Sequence, residues 1–335
     1  MIKIGQIGVG DWGKNLLRNF SALPDTQVVI ACDANPTVLA MIERDYPHIQ
    51  RTDHPDDVIG HPNVDAVVIA TLPSTHYTFA RRALEKDKDV FVEKPFVLDV
   101  GEGEELVHLA EASGRVLMVG HLMEYHPALL QLKDYIEGGE LGDIHYLYST
   151  RVNLGKVRTE ENALWSFAPH DISMALFLLE QEPVRVTADG QCYLQPGIED
   201  VAFAILHFSN GAMAHIHVSW LDPHKIRKLT VVGSRKMAVF DDMEAAEMIR
   251  IYDKGIQTSF DYRTYGESFS LRWGDVLIPR VKMSEPLREE CAHFVQCVRE
   301  RRTPRSDGRD GLRVLKVLDA CARSMKAGGA PMELL

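Results

Sequence analysis

A few short constellations in this sequence carry residue types at spacings that do chemistry. Gly8-Val9-Gly10-Asp11-Trp12-Gly13 follows the apolar run Ile2–Ile7 and leads directly into a segment carrying Leu16, Leu17 and Phe20. A Gly-x-Gly-x-x-Gly run between a strand and a helix cradles a dinucleotide. Gly8 permits the tight turn, Gly10 lets the pyrophosphate approach the backbone, and Gly13 lets helix and strand pack closely. The helix N-terminus, from Asp11 and Trp12 onward, adds N–H groups and positive partial charge. Asp33, 20 residues after Gly13, stands where an acid accepts hydrogen bonds from the adenosine ribose and repels a 2′-phosphate. Ala34-Asn35 supplies no arginine to compensate, so the expected cofactor is NAD and NADP is disfavoured. Glu93-Lys94-Pro95 closes another apolar run and puts a lysine and a glutamate at a strand's carboxyl end, facing the cofactor crevice. His170 offers an imidazole whose unperturbed pKa of about 6.5 suits acid–base work. Arg151, Asn153, Lys156 and Arg158 form a basic stretch that leads through Asn162 to Trp165 and His170, and such a stretch can bind a diphosphate or a carboxylate. His215 and His217 lie two apart, as metal ligands do, but no third ligand accompanies them and no metal is expected.

These groups must be positioned by folded elements, and the hydrophobic pattern shows which. The first part alternates short Val- and Ile-rich runs (2–7, 27–32, 66–70, 90–92, 116–119) with amphipathic segments, the pattern of a parallel sheet with crossover helices. After about residue 121 the rhythm changes to runs of alternating residues over 144–152, 184–192, 201–208, 212–220 and 228–232, with Ser209-Asn210-Gly211 as a hairpin turn. Two amphipathic helices close the chain, one through Cys291, Phe294, Val295 and Val298 and one through Leu312, Leu315, Leu318 and Ala322, separated by a polar loop from Arg301 to Gly311. Trp220 and Trp273 are expected as packing anchors. The fold class is α/β: an N-terminal Rossmann dinucleotide-binding domain over residues 1–121, and an α+β domain with a large, mostly antiparallel open sheet over 122–335, its last helices available to pack back on the first domain.

Of 335 residues, 37 are Lys or Arg and 48 are Asp or Glu, giving a formal charge of −11 and arguing against a nucleic-acid partner. No run of about 18 apolar residues suggests a membrane span, and no signal peptide is visible. Five scattered cysteines without a Cys-x-x-Cys pair suit a reducing cytoplasm.

The glycine loop, the segment Ala70-Thr71-Leu72-Pro73-Ser74-Thr75-His76 and Glu93-Lys94-Pro95 together resemble the Gfo/Idh/MocA family of nicotinamide oxidoreductases over nearly the whole chain. The resemblance implies that Thr71, Pro73 and His76 flank the dinucleotide, that Glu93 lies near the nicotinamide ribose, and that Lys94 and His170 are catalytic at the substrate hydroxyl. His170 matches the histidine of an Asp-x-x-x-His pattern whose aspartate is here Ser166. Arg-x-Asn-Leu-Gly-x-x-Arg followed by Asn-x-Leu-Trp, at residues 151–165, is similar to the branch acting on UDP-N-acetyl amino sugars, and implies oxidation of a sugar C3 hydroxyl in amino-sugar or surface-polysaccharide synthesis. Gly120 to Pro127 matches that branch loosely. An inositol or free-sugar dehydrogenase is the alternative substrate reading, and a non-catalytic NAD-sensing protein is the alternative of another class. The family further implies a homodimer or homotetramer formed through the second domain's sheet, with a nucleotide sugar or polyol as small-molecule substrate.

Overall fold

In a computed structural model the chain is described over residues 1–155, 157–159, 161–258 and 269–334. It divides into two compact units, Met1–Tyr125 with Ser284–Lys316, and His126–Met283 with Val317–Leu335.

The first unit alternates strands and helices: β1 (Ile2–Ile7), α1 (Gly13–Ala22), β2 (Thr26–Cys32), α2 (Pro36–Asp45), β3 (Gln50–Thr52), α3 (Pro55–Ile59), β4 (Ala66–Ile69), α4 (His76–Glu85), β5 (Asp89–Val92), α5 (Val100–Ser113) and β6 (Leu117–Val119). Its six strands are all parallel, in the order β3-β2-β1-β4-β5-β6. Chain order reverses between β1 and β4, so the loops after these two strands open the crevice in which such sheets bind ligands. Every residue of β4 (Ala-Val-Val-Ile) and β5 (Asp-Val-Phe-Val) is buried, as in strands covered on both faces.

The second unit begins with α6 (Pro127–Glu137) and β7 (Ile144–Val152), followed by α7 (Ala163–Leu179), β8 (Pro183–Gln191), β9 (Val201–Phe208), β10 (Met213–Ser219), β11 (Ile226–Gly233), β12 (Met237–Asp241), β13 (Ile249–Thr258) and β14 (Phe269–Leu277). The chain then returns to the first unit with α8 (Pro286–Glu300), and α9 (Gly308–Lys326) and β15 (Met332–Glu333) complete it. The nine strands of the second sheet run β14-β13-β12-β11-β7-β10-β9-β8-β15, antiparallel throughout except for the parallel pair β7 and β10. The β9–β10 hairpin turns at Gly211, whose φ of +87° is open to glycine at no steric cost.

The division after Tyr125 falls four residues beyond the boundary read from the sequence, and Ser284–Lys316 joins the first unit. Phe294 of α8 explains the return: it meets Phe20 and Phe91 edge to face, with ring centroids 5.6–6.1 Å apart. Tyr125 belongs there too, because its hydroxyl is 3.1 Å from the Ser306 hydroxyl.

Trp220 is fully buried as an anchor, whereas Trp273 is 70% exposed beneath the Lys254 ammonium, a correction that follows from its place on the outermost strand pair. No described helix is long and apolar enough to cross a membrane.

Candidate active site

In the first unit, the glycine loop is shaped by contacts that a side chain would break. A Cβ on Gly8 would lie 2.5 Å from the Ala70 carbonyl oxygen, and one on Gly13 only 2.3 Å from the Gly8 carbonyl oxygen. Gly8 also has a φ of +88°. Beneath the loop, buried Gln6 ties it down, its Nε2 donating to the carbonyls of Gly8 at 2.8 Å and Gly13 at 2.7 Å. Gly10 differs from its neighbours: a Cβ there would meet nothing within 4 Å, so no contact within the protein requires glycine at this position. No side chain caps the start of α1, and no acidic residue stands in its first turn, which leaves its N–H groups and positive partial charge for an anion. These features fit the pyrophosphate of a dinucleotide.

The Asp33 carboxylate accepts from the Val9 N–H at 2.8 Å and the Asn35 N–H at 2.9 Å, which fixes it at the mouth of the same loop. Asn35, not Asp33, caps α2, so Asp33 keeps lone pairs for a ribose.

After β4, the Thr71 and Thr75 hydroxyls share a hydrogen bond of 2.7 Å around a short 3-10 turn, Pro73–Thr75. His76 stands behind this turn and is 1% exposed. Its Nδ1 reaches the Pro95 carbonyl at 2.9 Å and its Nε2 the Thr71 carbonyl at 3.3 Å, so it braces the loops after β4 and β5 from within. Trp12 and Glu93 are linked directly, indole Nε1 donating to Oε1 at 2.5 Å. Burial pushes the Glu93 pKa up to about 7, against the opposing pull of the Trp12 bond and the Lys94 charge. Behind it lies Glu290 of α8, fully buried, with neither carboxyl oxygen in a hydrogen bond. Burial first, and the Glu93 charge second, raise its pKa well above the carboxylate range. A charged Glu93 thus favours the neutral form of Glu290. Lys94 follows at the end of β5, partly exposed.

In the second unit, α7 begins at its N-cap Asn162, whose side chain accepts from the Trp165 N–H at 3.0 Å and donates to Glu199 at 2.6 Å. These two bonds make Asn162 the N-cap of α7. Arg151 is likewise engaged within the unit. Its Nε donates to Asp171 Oδ2 at 2.7 Å, the side chains 7% and 2% exposed, so the charge is spent inside the unit. His170, half-buried on α7, lies one turn beyond buried Ser166, with Pro169 inside the helix. Trp165 is partly buried, Arg158 pairs with Glu161 at 3.0 Å, and Lys156 lies outside the described residues.

A cavity of about 520 Å³ in this unit is lined by Asn153, Leu154, Arg158, Ser166, Phe167, Pro223, His224, Lys225 and Arg227. Arg227, opposite Arg151 in the β11–β7 register, is the group that sequence reasoning missed. It donates to Asn153 Oδ1 and, at 2.9 Å, to the Val152 carbonyl, and it lies over the Phe167 ring at 5.0 Å. Desolvation, with the Arg151 charge beside it, lowers its pKa to about 10, still cationic at neutral pH. The basic run His224-Lys225-Ile226-Arg227-Lys228 was the available signal. His215 and His217 sit on the opposite sheet face against Phe203, at 6.3 and 4.4 Å between ring centroids.

The glycine loop yields a prediction in which two similar substitutions part. Gly13→Ala meets the Gly8 carbonyl and is expected to destabilise by about 1–3 kcal/mol. Gly10→Ala should leave the melting temperature unchanged, yet weaken NAD binding at least about tenfold, since each 1.4 kcal/mol of lost contact is a factor of ten. Calorimetric titration with NAD beside a thermal melt checks both.

Residues 2–121 match the Gfo/Idh/MocA oxidoreductase family model, described as an NAD-binding Rossmann fold, and residues 129–239 match the family's C-terminal domain. The scyllo-inositol 2-dehydrogenase (NAD(+)) of Bacillus subtilis is 26% identical over 99% of this chain and 96% of its own length. The UDP-N-acetylglucosamine 3-dehydrogenase of Acidithiobacillus ferrooxidans is 27% identical over 77% of this chain and 79% of its own. A crystal structure from Magnetospirillum magnetotacticum MS-1 superposes with a TM-score of 0.81 at 30% identity, covering 96% of this chain and 99% of that one. The glycine cradle at β1, the acid at the end of β2 and the Glu-Lys pair at the end of β5 thus stand in a chain that belongs to the Gfo/Idh/MocA family of NAD-dependent oxidoreductases.

Proposed function

We propose that the protein oxidises a secondary hydroxyl, at C3, of a UDP-N-acetylhexosamine or its uronic acid, giving a 3-keto sugar. The observation that carries this reading is the cavity of the second unit, whose Arg158, Lys225 and Arg227 present positive charge in an otherwise acidic chain. Two arginines and a lysine suit a diphosphate, which accepts forked and charge-assisted hydrogen bonds. The A. ferrooxidans relative, named for UDP-N-acetylglucosamine, supports the same substrate class.

In this reading Gly10 and the start of α1 hold the pyrophosphate, Asp33 the adenosine ribose, and Glu93 with Trp12 borders the nicotinamide end. NAD held by these residues would supply the acceptor for the hydride of the sugar carbon. His170 takes the hydroxyl proton, and the Lys94 ammonium stabilises the oxyanion that develops as the carbonyl forms. The balance is one hydride and one proton removed from the alcohol, leaving a ketone.

The B. subtilis relative, aligned over nearly the whole chain, favours an inositol as the second reading. Thermal melts decide between them. NAD alone should stabilise the protein, and UDP-GlcNAc or its uronic acid should add a further shift that myo-inositol does not, because stabilisation grows with ligand over Kd. Arg227→Met should remove that added shift and keep the NAD one. A further shift with inositol only, insensitive to Arg227, would replace the nucleotide-sugar reading.

We further propose a homo-oligomer formed through the second sheet. Tyr146, Tyr148, Phe203, Ile205 and Met213 are exposed on one face of the neighbouring strands β7, β10 and β9, with His215 and His217 between them, a largely apolar face of the kind that marks protein contacts.

A further inference from the structure

The first unit buries a group of three side chains that the proposed reaction does not use. His121 and Glu124 stand just after β6, and Asp310 stands in the first turn of α9. They are 2%, 1% and 4% exposed, and each offers one ligand atom such that all three atoms lie within 4.8 Å of one another.

Two observations single the group out from an ordinary buried polar cluster. Neither ring nitrogen of His121 makes a hydrogen bond, although the residue is fully enclosed. Asp310 pairs with Arg313 through Oδ1, while its Oδ2 is buried and unbonded. Buried polar atoms in folded proteins are almost always satisfied, and a residue that is not calls for an ion or a trapped water. An imidazole with both nitrogens unpartnered is the least expected orphan of all, since it is both donor and acceptor.

We infer that His121, Glu124 and Asp310 form a site for a divalent transition ion, zinc above all. One imidazole nitrogen and two carboxylate oxygens are a mixed set that suits zinc, whereas magnesium and calcium favour oxygen alone. Three protein ligands leave a fourth position open. Ligand atoms around tetrahedral zinc lie roughly 3.3 Å apart, given bonds of about 2.0–2.2 Å. The set therefore closes on the ion by modest side-chain rotation. Arg313, bonded to the second oxygen of Asp310, is placed to orient that ligand from outside. The ion would join the segment after β6 to α9, two parts of the unit far apart in sequence.

The test needs no turnover. Protein freed of any polyhistidine tag is stripped with EDTA, dialysed, reloaded separately with Zn²⁺, Mn²⁺ or Mg²⁺, and dialysed again, then read for metal content and melting temperature. The expected result is a single zinc retained per chain with a raised melting temperature, and no retained magnesium. His121→Gln and the isosteric Glu124→Gln should each bind zinc at least about tenfold more weakly, while His215→Gln/His217→Gln keeps it. Should His121→Gln fail to fold, Glu124→Gln alone carries the comparison. No zinc retained by the parent protein, or equal retention by both variants, would overturn the assignment and leave the three side chains around a water.

Discussion

Replacing Lys94 by alanine is expected to lower kcat by about 10³-fold, the loss seen when a preorganised group facing a developing oxyanion is removed. The expectation rests on place and on chemistry. Lys94 stands at the carboxyl end of a fully buried strand, so its backbone is fixed by β4 and β6 on either side. An ammonium held there is more effective than one in water, because little reorganisation accompanies the charge that forms. Affinity for NAD should change little, since the proposed reading places the pyrophosphate on the β1–α1 loop and the ribose on Asp33. That split, turnover lost and binding kept, is what calorimetry and an assay at 340 nm together read. Lys94→Arg should not rescue, because a planar guanidinium cannot place a point charge where a lysine does. A protein that only senses NAD has no turnover to lose, so equal and negligible rates in parent and variant would move this chain out of the enzyme class.

The parts of this molecule that could be read from its sequence are those whose pattern has one meaning. β1, β7 and β9 occupy the residues that their apolar runs or alternation mark, and the glycine loop sits between β1 and α1. β3 escaped because Gln50–Thr52 is three polar residues long, too short for any period. α7 escaped for a different reason. Ala163–Leu179 is apolar almost all the way round and carries Pro169 in its interior, so it shows neither an amphipathic stripe nor a proline-free helix. Without that helix in view, nothing in the sequence marks Asn162 as its N-cap. The burial of Arg151 does have a signal in the sequence. It lies four residues after Leu147 on an alternating strand, hence on the same inward face, and a charge on that face needs a buried partner. Arg227 sits opposite it across the ladder, in a segment the sequence reading entered one residue too late.

The Arg151–Asp171 pair gives the second large effect, in stability and not in catalysis. Asp171→Asn is expected to cost about 3–5 kcal/mol, because it leaves an arginine buried without its counter-charge. The same arginine lies beside Arg227, so removing the carboxylate also exposes two cations to each other. Arg151→Met/Asp171→Leu should recover most of the loss, since a buried ion pair is commonly matched by apolar side chains of similar volume. A double-mutant cycle read by denaturant unfolding isolates the coupling of the two. The cycle also separates the two arginines by function. Arg151 variants should move the unfolding midpoint and leave the substrate KM where it was once the protein is folded. Arg227→Met, whose side chain lines the cavity, should raise KM for an anionic substrate with a far smaller change in stability. If Arg151→Met instead raised KM without loss of stability, the pair would be open to substrate, and the charge of the cavity would have to be assigned again.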